Sequence, residues 1–183
     1  SRAWQLAGLP PIRVWVNFSA RQFQHQNPVA LVTRVLRETG LPPGHLELEI
    51  TESAVMKDAA YAQKILADLK RRGLCLAIDD FGTGYSSLAH LKRLPVDELK
   101  IDKSFVLNLS ESATDDLVIV RSTIELAHNM GLVVIAEGVE TAESWRILKR
   151  LGCDMAQGYY MSPPLPVAAM TEWFRTSQWG IAS

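Results

Sequence analysis

Residues 74–84 read LCLAIDDFGTG, a short apolar run that ends in two adjacent aspartates and leads into a glycine-containing loop. An apolar run that ends in a polar side chain and precedes a helix-length segment occurs six times along the chain. The six runs end at Asn17, Glu49, Asp79 with Asp80, Lys100, Glu137 and Gln157. Because parallel strands are connected through helices, this alternation predicts an α/β fold with a parallel sheet.

Two architectures satisfy such an alternation. An open doubly wound sheet binds ligands at one switch point, so it does not require a functional group at every strand end. A β/α barrel instead gathers the carboxyl ends of all its strands on one face, where enzymes with this fold build their sites. The pattern therefore predicts a TIM-like (β/α) barrel over residues 1–183, which we expect to form one domain.

The predicted barrel is incomplete. A full barrel has eight strands and typically about 250 residues, whereas this chain has 183 residues and six predicted strands. We therefore expect that two strand units are missing before Ser1.

Composition excludes several kinds of partner. The chain is 48% hydrophobic and carries a net charge of −1, so no basic excess favours long nucleic acid or an anionic membrane surface. No apolar stretch approaches the roughly 20 residues that a membrane helix needs. Cys75 and Cys153 lie in strand-like runs without the spacing of a disulfide framework, which predicts a reducing compartment, the cytoplasm.

Local signals predict several element boundaries. Ser19 followed by Gln22 has the form of a helix capping box. Gly40 is expected to end the helix that starts after Pro28, and Thr141 to cap the start of a later helix. The last strand is predicted near residues 155–160.

Asp79 and Asp80 are the strongest local indication of a metal site. Adjacent strand residues point to opposite faces, so both carboxylates reach one centre only where the strand ends. Such a pair can bridge two divalent cations, although an isolated Asp-Asp pair is also typical of a turn or a helix cap. Oxygen ligands favour Mg²⁺, Mn²⁺ or Ca²⁺ over zinc. The histidines are predicted outside the strand ends, at His25, His45, His90 and His128.

Other acidic and amide groups leave alternatives open. Glu47 shares a strand face with Glu49, with Glu52 close behind, and this indicates either a solvent-facing edge or part of a cation site. Asn17 is either a turn residue or a ligand. Glu137 is a candidate ligand for a second metal ion.

Lys100 and Glu140 also have two interpretations each. A lysine among acidic strand ends can orient a water molecule or neutralise charge on a phosphoryl oxygen. Alternatively, Lys100 forms a structural salt bridge with Asp102 or Glu98. Glu140 is either a loop anchor or an acid near a helix N-terminus, where the helix dipole favours it.

Taken together, these motifs resemble those of the EAL-domain family of cyclic di-GMP phosphodiesterases. The resemblance spans nearly the whole chain in the expected order. The matching stretches are residues 16–23 (VNFSARQF), 47–52 (ELEITE), 79–88 (DDFGTGYSSL), 99–102 (LKID), 136–141 (AEGVET) and 157–159 (QGY).

The resemblance implies a fold, a reaction and a metal site. The fold would be a modified barrel whose first strand runs antiparallel to the rest. The reaction would be hydrolysis of cyclic di-GMP to linear pGpG with two Mg²⁺ or Mn²⁺ ions, and Ca²⁺ would inhibit it. Asp79 would bridge the two ions. The metal ligands would be Asn17, Glu49, Asp79, Asp80 and Glu137.

The resemblance also implies roles for further residues. Lys100 would position the hydrolytic water, and Glu52 would tether the loop after Asp80, which couples the metal site to a homodimer interface. The catalytic set would be Lys100, Glu137, Glu52 and Gln157. Substrate would contact Asp102, Gln157, Gly158 and Pro163. Loop and dimer coupling would involve Glu52, Phe81, Gly82, Thr83, Gly84, Tyr85, Ser86 and Glu140.

One departure from the family pattern affects the expected activity. The Glu-Ala-Leu motif normally lies on the second strand, and this chain starts after it, in agreement with the count of two missing strands. We therefore expect little or no turnover from these 183 residues alone. Sensory or diguanylate-cyclase-type domains are expected in the full-length protein.

Two other functions are compatible with the sequence. One is a receptor that binds cyclic di-GMP without cleaving it. The other is a metal-dependent barrel enzyme that acts on a carbon acid, such as an enolase-type lyase.

Overall fold

A single parallel sheet organises the chain. The computed structural model describes residues 1–6, 8–25 (without the side chain of residue 25), 27–84, 88–112 and 114–180. Six strands form one sheet in the order β1-β2-β3-β4-β5-β6, and every neighbouring pair is parallel. The strands are β1 (Val14–Asn17), β2 (Leu46–Thr51), β3 (Cys75–Phe81), β4 (Glu98–Ile101), β5 (Val133–Ala136) and β6 (Met155–Ala156).

Helices connect the strands, as expected for parallel pairing. They are α1 (Arg2–Leu6), α2 (Ala20–His25), α3 (Pro28–Thr39), α4 (Glu52–Met56), α5 (Ala59–Lys70), α6 (Leu88–Leu91), α7 (Thr114–Asn129), α8 (Ala142–Leu151) and α9 (Val167–Thr176). The longer helices bury their apolar side; in α5, for example, Ala62, Leu66 and Leu69 are fully buried. Short 3₁₀ turns precede β2 (Pro43–His45) and follow β4 (Lys103–Phe105).

The strand order and the side-chain contacts show a curled sheet. Strands that are consecutive in the sequence are also neighbours in the sheet, whereas a doubly wound sheet would reverse its order at a switch point. The Arg13 guanidinium, just before β1, lies 2.6 Å from Glu98 on β4. In a flat sheet these strands would be about 14 Å apart, at three spacings of about 4.8 Å. The predicted α/β fold with six barrel-like strands is confirmed.

The two faces of the strands have different chemistry. Side chains such as Ile50, Leu76 and Leu99 are fully buried and belong to the apolar core. The alternate positions Glu49 and Lys100 are also buried, at 5% and 1% exposure. The first alternative for the β2 glutamates, a solvent-facing edge, is therefore wrong.

Most predicted boundaries are confirmed. In the Ser19 capping box, the Gln22 amide N–H donates to Ser19 Oγ at 3.3 Å, and the Ser19 amide N–H donates to Gln22 Oε1 at 3.1 Å. Gly40 ends α3 with φ 65°, and Thr141 Oγ1 accepts the Ser144 amide N–H at 3.1 Å at the start of α8.

The last strand is shorter than predicted. Strand β6 contains only Met155 and Ala156, and a turn follows instead of a strand through residue 160. The Val139 amide N–H donates to the Gln157 carbonyl, and the Val139 carbonyl accepts the Tyr160 amide N–H. These bonds tie the chain to the loop that follows β5 (residues 137–140, the β5 loop) and end the strand.

The first and last helices are in contact. The Trp4 and Phe174 rings meet edge to face with their centroids 5.4 Å apart, and Trp4 Nε1–H donates to Thr171 Oγ1 at 2.9 Å. This contact joins α1 to α9 across the side of the fold where β1 and β6 are the edges of the described sheet. Among the described residues, none of the helices combines the length and the apolarity that a membrane crossing requires.

The Thr141 cap provides a test of the local structure. Replacing Thr141 with alanine removes the acceptor for the Ser144 amide and should lower the free energy of unfolding by about 1 kcal/mol. Thermal denaturation should then show a fall in Tm of roughly 2–4 °C. The control is Thr39→Ala, at the exposed end of α3, which should change Tm far less; equal effects of the two changes would contradict this role of the cap.

Candidate metal centre

The strand ends bring three carboxylates together. Asp79 and Asp80 lie near the end of β3, and Glu137 directly follows β5. Because the strands are parallel, both ends lie on the same rim. Oxygen atoms of Asp79, Asp80 and Glu137, one from each residue, all lie within 4.8 Å of one another. This is the geometry that shared coordination of divalent cations requires.

Lys100 lies at the centre of the acidic rim. Its Nζ is 2.5 Å from Glu49 Oε1 and 3.4 Å from Asp79 Oδ1, and it also forms an ion pair with Glu137. The side chain is almost fully buried. The alternative of a structural salt bridge to Asp102 or Glu98 is thus replaced by pairing with three other acids.

These ion pairs determine the local charge. Burial by itself lowers the pKa of Lys100, but the bonds to Glu137 and Glu49 outweigh it and hold the pKa above its ordinary value. Burial raises the pKa of Glu49 and of Glu137, and the Lys100 ammonium opposes this rise. The lysine therefore stays charged, and its charge helps to keep the acids ionised.

Asp80 has an unusual backbone conformation. Its φ of 55° is in the left-handed region, which a residue with a side chain adopts at some energetic cost. Local bonds hold it there: the Asp80 amide N–H donates to Asp79 Oδ1 at 3.0 Å, and Thr83 Oγ1–H donates to the Asp80 carbonyl at 2.8 Å. Burial, and then the neighbouring Asp79 and Asp102 carboxylates, raise the pKa of Asp80.

Glu52 holds the loop that follows Asp80. The side chain is buried, and its Oε2 accepts the Gly82 amide N–H at 2.9 Å. A methyl group on Gly84 would lie only 2.9 Å from Glu52 Oε1, so the loop passes directly over the carboxylate. Phe81, the last residue of β3, is buried in the apolar core. Tyr85 and Ser86, also predicted to act in loop coupling, lie outside the described residues.

The remaining predicted residues lie at different distances from the acidic cluster. Gln157 Nε2–H donates to Glu137 Oε1 at 2.8 Å, so this amide belongs to the rim. Asn17 ends β1 in register with Glu49 but is exposed. Asp102 follows β4, and its carboxylate accepts the Ser104 amide N–H at 2.9 Å. Burial raises the pKa of Asp102, but the bonds from Ser104 outweigh it and lower the pKa overall.

Three further predicted residues, Gly158, Pro163 and Glu140, are close to Gln157 or Glu137 in the sequence. Gly158 follows Gln157, and its carbonyl accepts amide N–H groups in the next turn. Pro163 and Glu140 are both exposed. None of these three residues takes part in the ion pairs described for the cluster.

A second polar layer, below the acidic rim, was predicted only in part. Glu47 and Glu98 are buried two residues before Glu49 and Lys100 on the same strands. Arg13 contacts both carboxylates, and Trp15 Nε1–H donates to Glu47 Oε2 at 2.8 Å. The alternation of β2 pointed to Glu47, but no local signal pointed to Arg13 or Trp15, because their partners are distant in the sequence.

One carboxyl group of this lower layer has a pKa well above its ordinary value. Burial raises the pKa of Glu47 to about 7, and the nearby Glu98 carboxylate adds to the rise. One oxygen of each glutamate is buried without a hydrogen-bond partner among the described groups.

The residues of the rim fit divalent cations. Carboxylate oxygens from several strands converge there, and such oxygens are the ligands that Mg²⁺, Mn²⁺ and Ca²⁺ prefer. The members of the cluster within 4.8 Å of one another include no thiolate or imidazole. Fold and site together define a β/α-barrel-like protein with a cluster of acidic side chains at the carboxyl ends of its strands.

Comparison with known proteins identifies the family. The EAL domain family matches residues 1–164. MucR of Pseudomonas aeruginosa, a bifunctional diguanylate cyclase/cyclic di-GMP phosphodiesterase, is 44% identical over 165 residues, which are 90% of this chain and 24% of MucR. NbdA of the same species, a cyclic di-GMP phosphodiesterase, is 41% identical over 99% of this chain and 23% of its own length. The chain belongs to the EAL domain family.

Solved structures agree with this assignment. The PaMucR phosphodiesterase in complex with c-di-GMP has a TM-score of 0.88 and 43% identity, with 92% of this chain and 68% of that chain covered. A manganese/cy-diGMP complex of Klebsiella pneumoniae BlrP1 has a TM-score of 0.77 and 32% identity over 89% of this chain and 42% of that chain. The chain spans about a quarter of the length of the curated relatives it matches.

The pKa of Glu47 predicts a pH-dependent stability difference. Because the folded-state pKa of about 7 lies above the ordinary value of 4.5, this group favours folding below pH 4.5 and loses that contribution as the pH rises through 7. Glu47→Gln cannot lose a proton, so its Tm relative to wild type should rise by about 4 °C or more between pH 5.5 and pH 8.5.

Thermal melts across this pH range check the expectation. Glu38→Gln, at an exposed position on α3, is the matched control and should show no comparable trend. A Tm difference for Glu47→Gln that stays constant or shrinks as the pH rises would contradict a neutral carboxyl in the lower layer.

Proposed function

We propose that this chain carries the metal centre of a phosphodiesterase that hydrolyses cyclic di-GMP to linear pGpG. The observation that carries the proposal is the convergence of Glu49, Asp79 and Glu137 on Lys100, with Asp80 beside them. Family membership supports the substrate, since MucR and NbdA are both named as cyclic di-GMP phosphodiesterases.

Two Mg²⁺ or Mn²⁺ ions are the proposed cofactors, with Ca²⁺ as an inhibitor. The ions would be held by Asn17, Glu49, Asp79, Asp80 and Glu137. When bound, the ions would supply an activated water and stabilise negative charge on the phosphodiester. The manganese complex of the related BlrP1 supports this choice of metal.

The protein side chains have separate tasks in this proposal. Lys100 holds a positive charge at the centre of the rim, where it can attract a phosphoryl oxygen and orient the attacking water. Gln157 keeps the Glu137 carboxylate in place through its 2.8 Å hydrogen bond. Glu52 holds the loop at Gly82, so that Asp80 keeps the orientation that a ligand needs.

Substrate contact and assembly extend beyond the metal centre. Asp102, Gly158 and Pro163 are proposed to contact the dinucleotide, together with Gln157. The loop over Glu52, with Glu140, would link the site to a homodimer interface. We also propose a cytoplasmic location and, in the whole protein, sensory or diguanylate-cyclase-type domains.

A comparison of two proteins tests the function. One is this chain, and the other is a chimera in which the N-terminal segment of the PaMucR phosphodiesterase domain precedes it, because the chain covers only 68% of that structure. With Mn²⁺, the chimera should convert cyclic di-GMP to pGpG. The 183-residue chain should turn over at least about 100-fold more slowly, since the Glu-Ala-Leu motif does not occur in its sequence and the chimera supplies it.

Each outcome of this comparison has a clear meaning. If chromatography shows that the chimera converts cyclic di-GMP to pGpG, the proposed phosphodiesterase activity is supported. A metal-loaded chimera that binds cyclic di-GMP without cleaving it would overturn the proposed activity in favour of a receptor. Full activity of the chain alone would contradict the expected need for the preceding segment.

Two substitutions in the chimera separate metal binding from chemistry. Asp79→Asn should weaken Mn²⁺ binding and lower kcat by at least about 10³-fold, because it removes the negative charge of a proposed metal ligand that lies beside Asp80 and Glu137. Lys100→Met should retain Mn²⁺ binding but lower kcat by about 10²–10³-fold, because it removes the positive charge near the phosphoryl oxygens.

Calorimetry and turnover assays measure the two effects. The controls are Asp115→Asn and Lys64→Met, which change the same residue types at exposed positions on α7 and α5. Circular dichroism verifies the fold of each variant. Unchanged turnover in a folded Lys100→Met protein would remove the lysine from the proposed mechanism.

A further inference from the structure

The 3₁₀ turn after β4 lies between two glycine loops. On one side, the ring of Phe105 packs against Gly82: a methyl group at Gly82 would lie 3.0 Å from Phe105 Cε2 and 3.4 Å from Phe105 Cζ. Gly82 has φ 98°, a conformation that strongly favours glycine. The Phe105 ring therefore occupies the space that a side chain at Gly82 would need.

The other side of the turn is equally close to the β5 loop. A methyl group at Gly138 would lie 2.6 Å from Lys103 Cβ and 3.3 Å from Lys103 Cα. Gly138 also has a positive φ, 71°. The backbone of Gly138 thus lies directly against the start of the turn, at a distance that only glycine allows.

Each glycine adjoins a residue of the acidic cluster. Gly82 lies two residues after Asp80, whose own φ is positive, and Gly138 directly follows Glu137. The turn is itself anchored, because the Ser104 amide N–H donates to Asp102 Oδ1 and the Phe105 amide N–H donates to the Asp102 carbonyl. One rigid turn therefore touches both loops that carry the cluster.

We propose that Lys103–Phe105 acts as a spacer between two loops. It sets the distance from the loop after Asp80, which contains Gly82, to the β5 loop, which contains Glu137 and Gly138. Phe105 is a positioning residue for Asp80 through Gly82, and the backbone at Lys103 positions Glu137 through Gly138. The claim that this separation affects metal binding rests on the proposed function. The claim that the turn holds the two loops in place, the mechanical part, does not depend on that function.

Amide hydrogen exchange tests the mechanical part without metal. The reporters are the amides of Gly82, bonded to Glu52, and of Val139, bonded to the Gln157 carbonyl. Phe105→Ala should speed exchange at Gly82 and its loop by about tenfold or more, while β3 amides stay protected. Phe105→Leu should return exchange to within about threefold of wild type, because it restores apolar volume beside Gly82.

Mn²⁺ binding measured by calorimetry is the second readout. Phe105→Ala should weaken Mn²⁺ binding by about 10-fold or more, in the range seen when groups behind metal ligands are removed. Phe174→Ala is the matched control: it removes a more deeply buried phenylalanine, which packs on Trp4 and is not among the near neighbours of Gly82 or Gly138. It should leave both readouts within twofold of wild type, whatever it does to Tm.

A second variant tests the other side of the turn. Gly138→Ala places a methyl group against Lys103 and should speed exchange at Val139 and weaken Mn²⁺ binding. It also keeps the proposal testable if Phe105→Ala does not fold. The spacer would be overturned if a folded Phe105→Ala or Gly138→Ala protein kept both amide exchange and Mn²⁺ binding within twofold of wild type. It would also be overturned if Phe174→Ala changed amide exchange and Mn²⁺ binding as much as Phe105→Ala does.

Failure of the spacer is distinguishable from failure of the proposed function. A wild-type chimera that never cleaves cyclic di-GMP ends the phosphodiesterase proposal, yet the exchange comparison still decides the spacer. Conversely, an active chimera whose Phe105→Ala variant keeps wild-type exchange and Mn²⁺ binding supports the enzyme and refutes the spacer.

Discussion

The site depends on one buried ammonium group surrounded by acids. Lys100 is almost fully buried, and its charge is compensated by Glu49, Asp79 and Glu137. Burial of an unpaired charge is strongly unfavourable, and removal of one partner from a buried pair typically costs about 3–5 kcal/mol. Each carboxylate must therefore stay near the lysine, and this requirement constrains the ends of β2, β3, β4 and the β5 loop relative to one another.

The backbone near the rim is shaped to satisfy this constraint. Asp80 takes a positive φ, and Gly82 and Gly138 allow the neighbouring loops to pass close to Phe105 and Lys103. Glu52 then bonds the Gly82 amide from below. Side chains with no charge of their own, such as Phe105, can thus affect the geometry of the acidic cluster, because packing and electrostatics act on the same short loops.

Much of the fold and part of the site could be predicted from the sequence. Period-two alternation in β2, the capping box at Ser19 and the glycine at residue 40 depend on nearby residues, and each was predicted correctly. The two-residue length of β6 was not predicted, because hydrogen bonds to Val139, which is distant in the sequence, end that strand. The partners of Lys100 were not predicted either: the salt-bridge alternative named Asp102 or Glu98, whereas the observed partners Glu49, Asp79 and Glu137 come from other segments of the chain.

The order of strands and helices, and a polar residue at each strand end, follow from periodicity, capping and turn formation, which are local properties of the amino-acid sequence. Which of those residues meet depends on the three-dimensional packing. The curl of the sheet brings Arg13 to Glu98 and Lys100 to its three acids. Contacts between distant segments depend on sheet curvature and loop packing, and these arise only when the whole core is assembled.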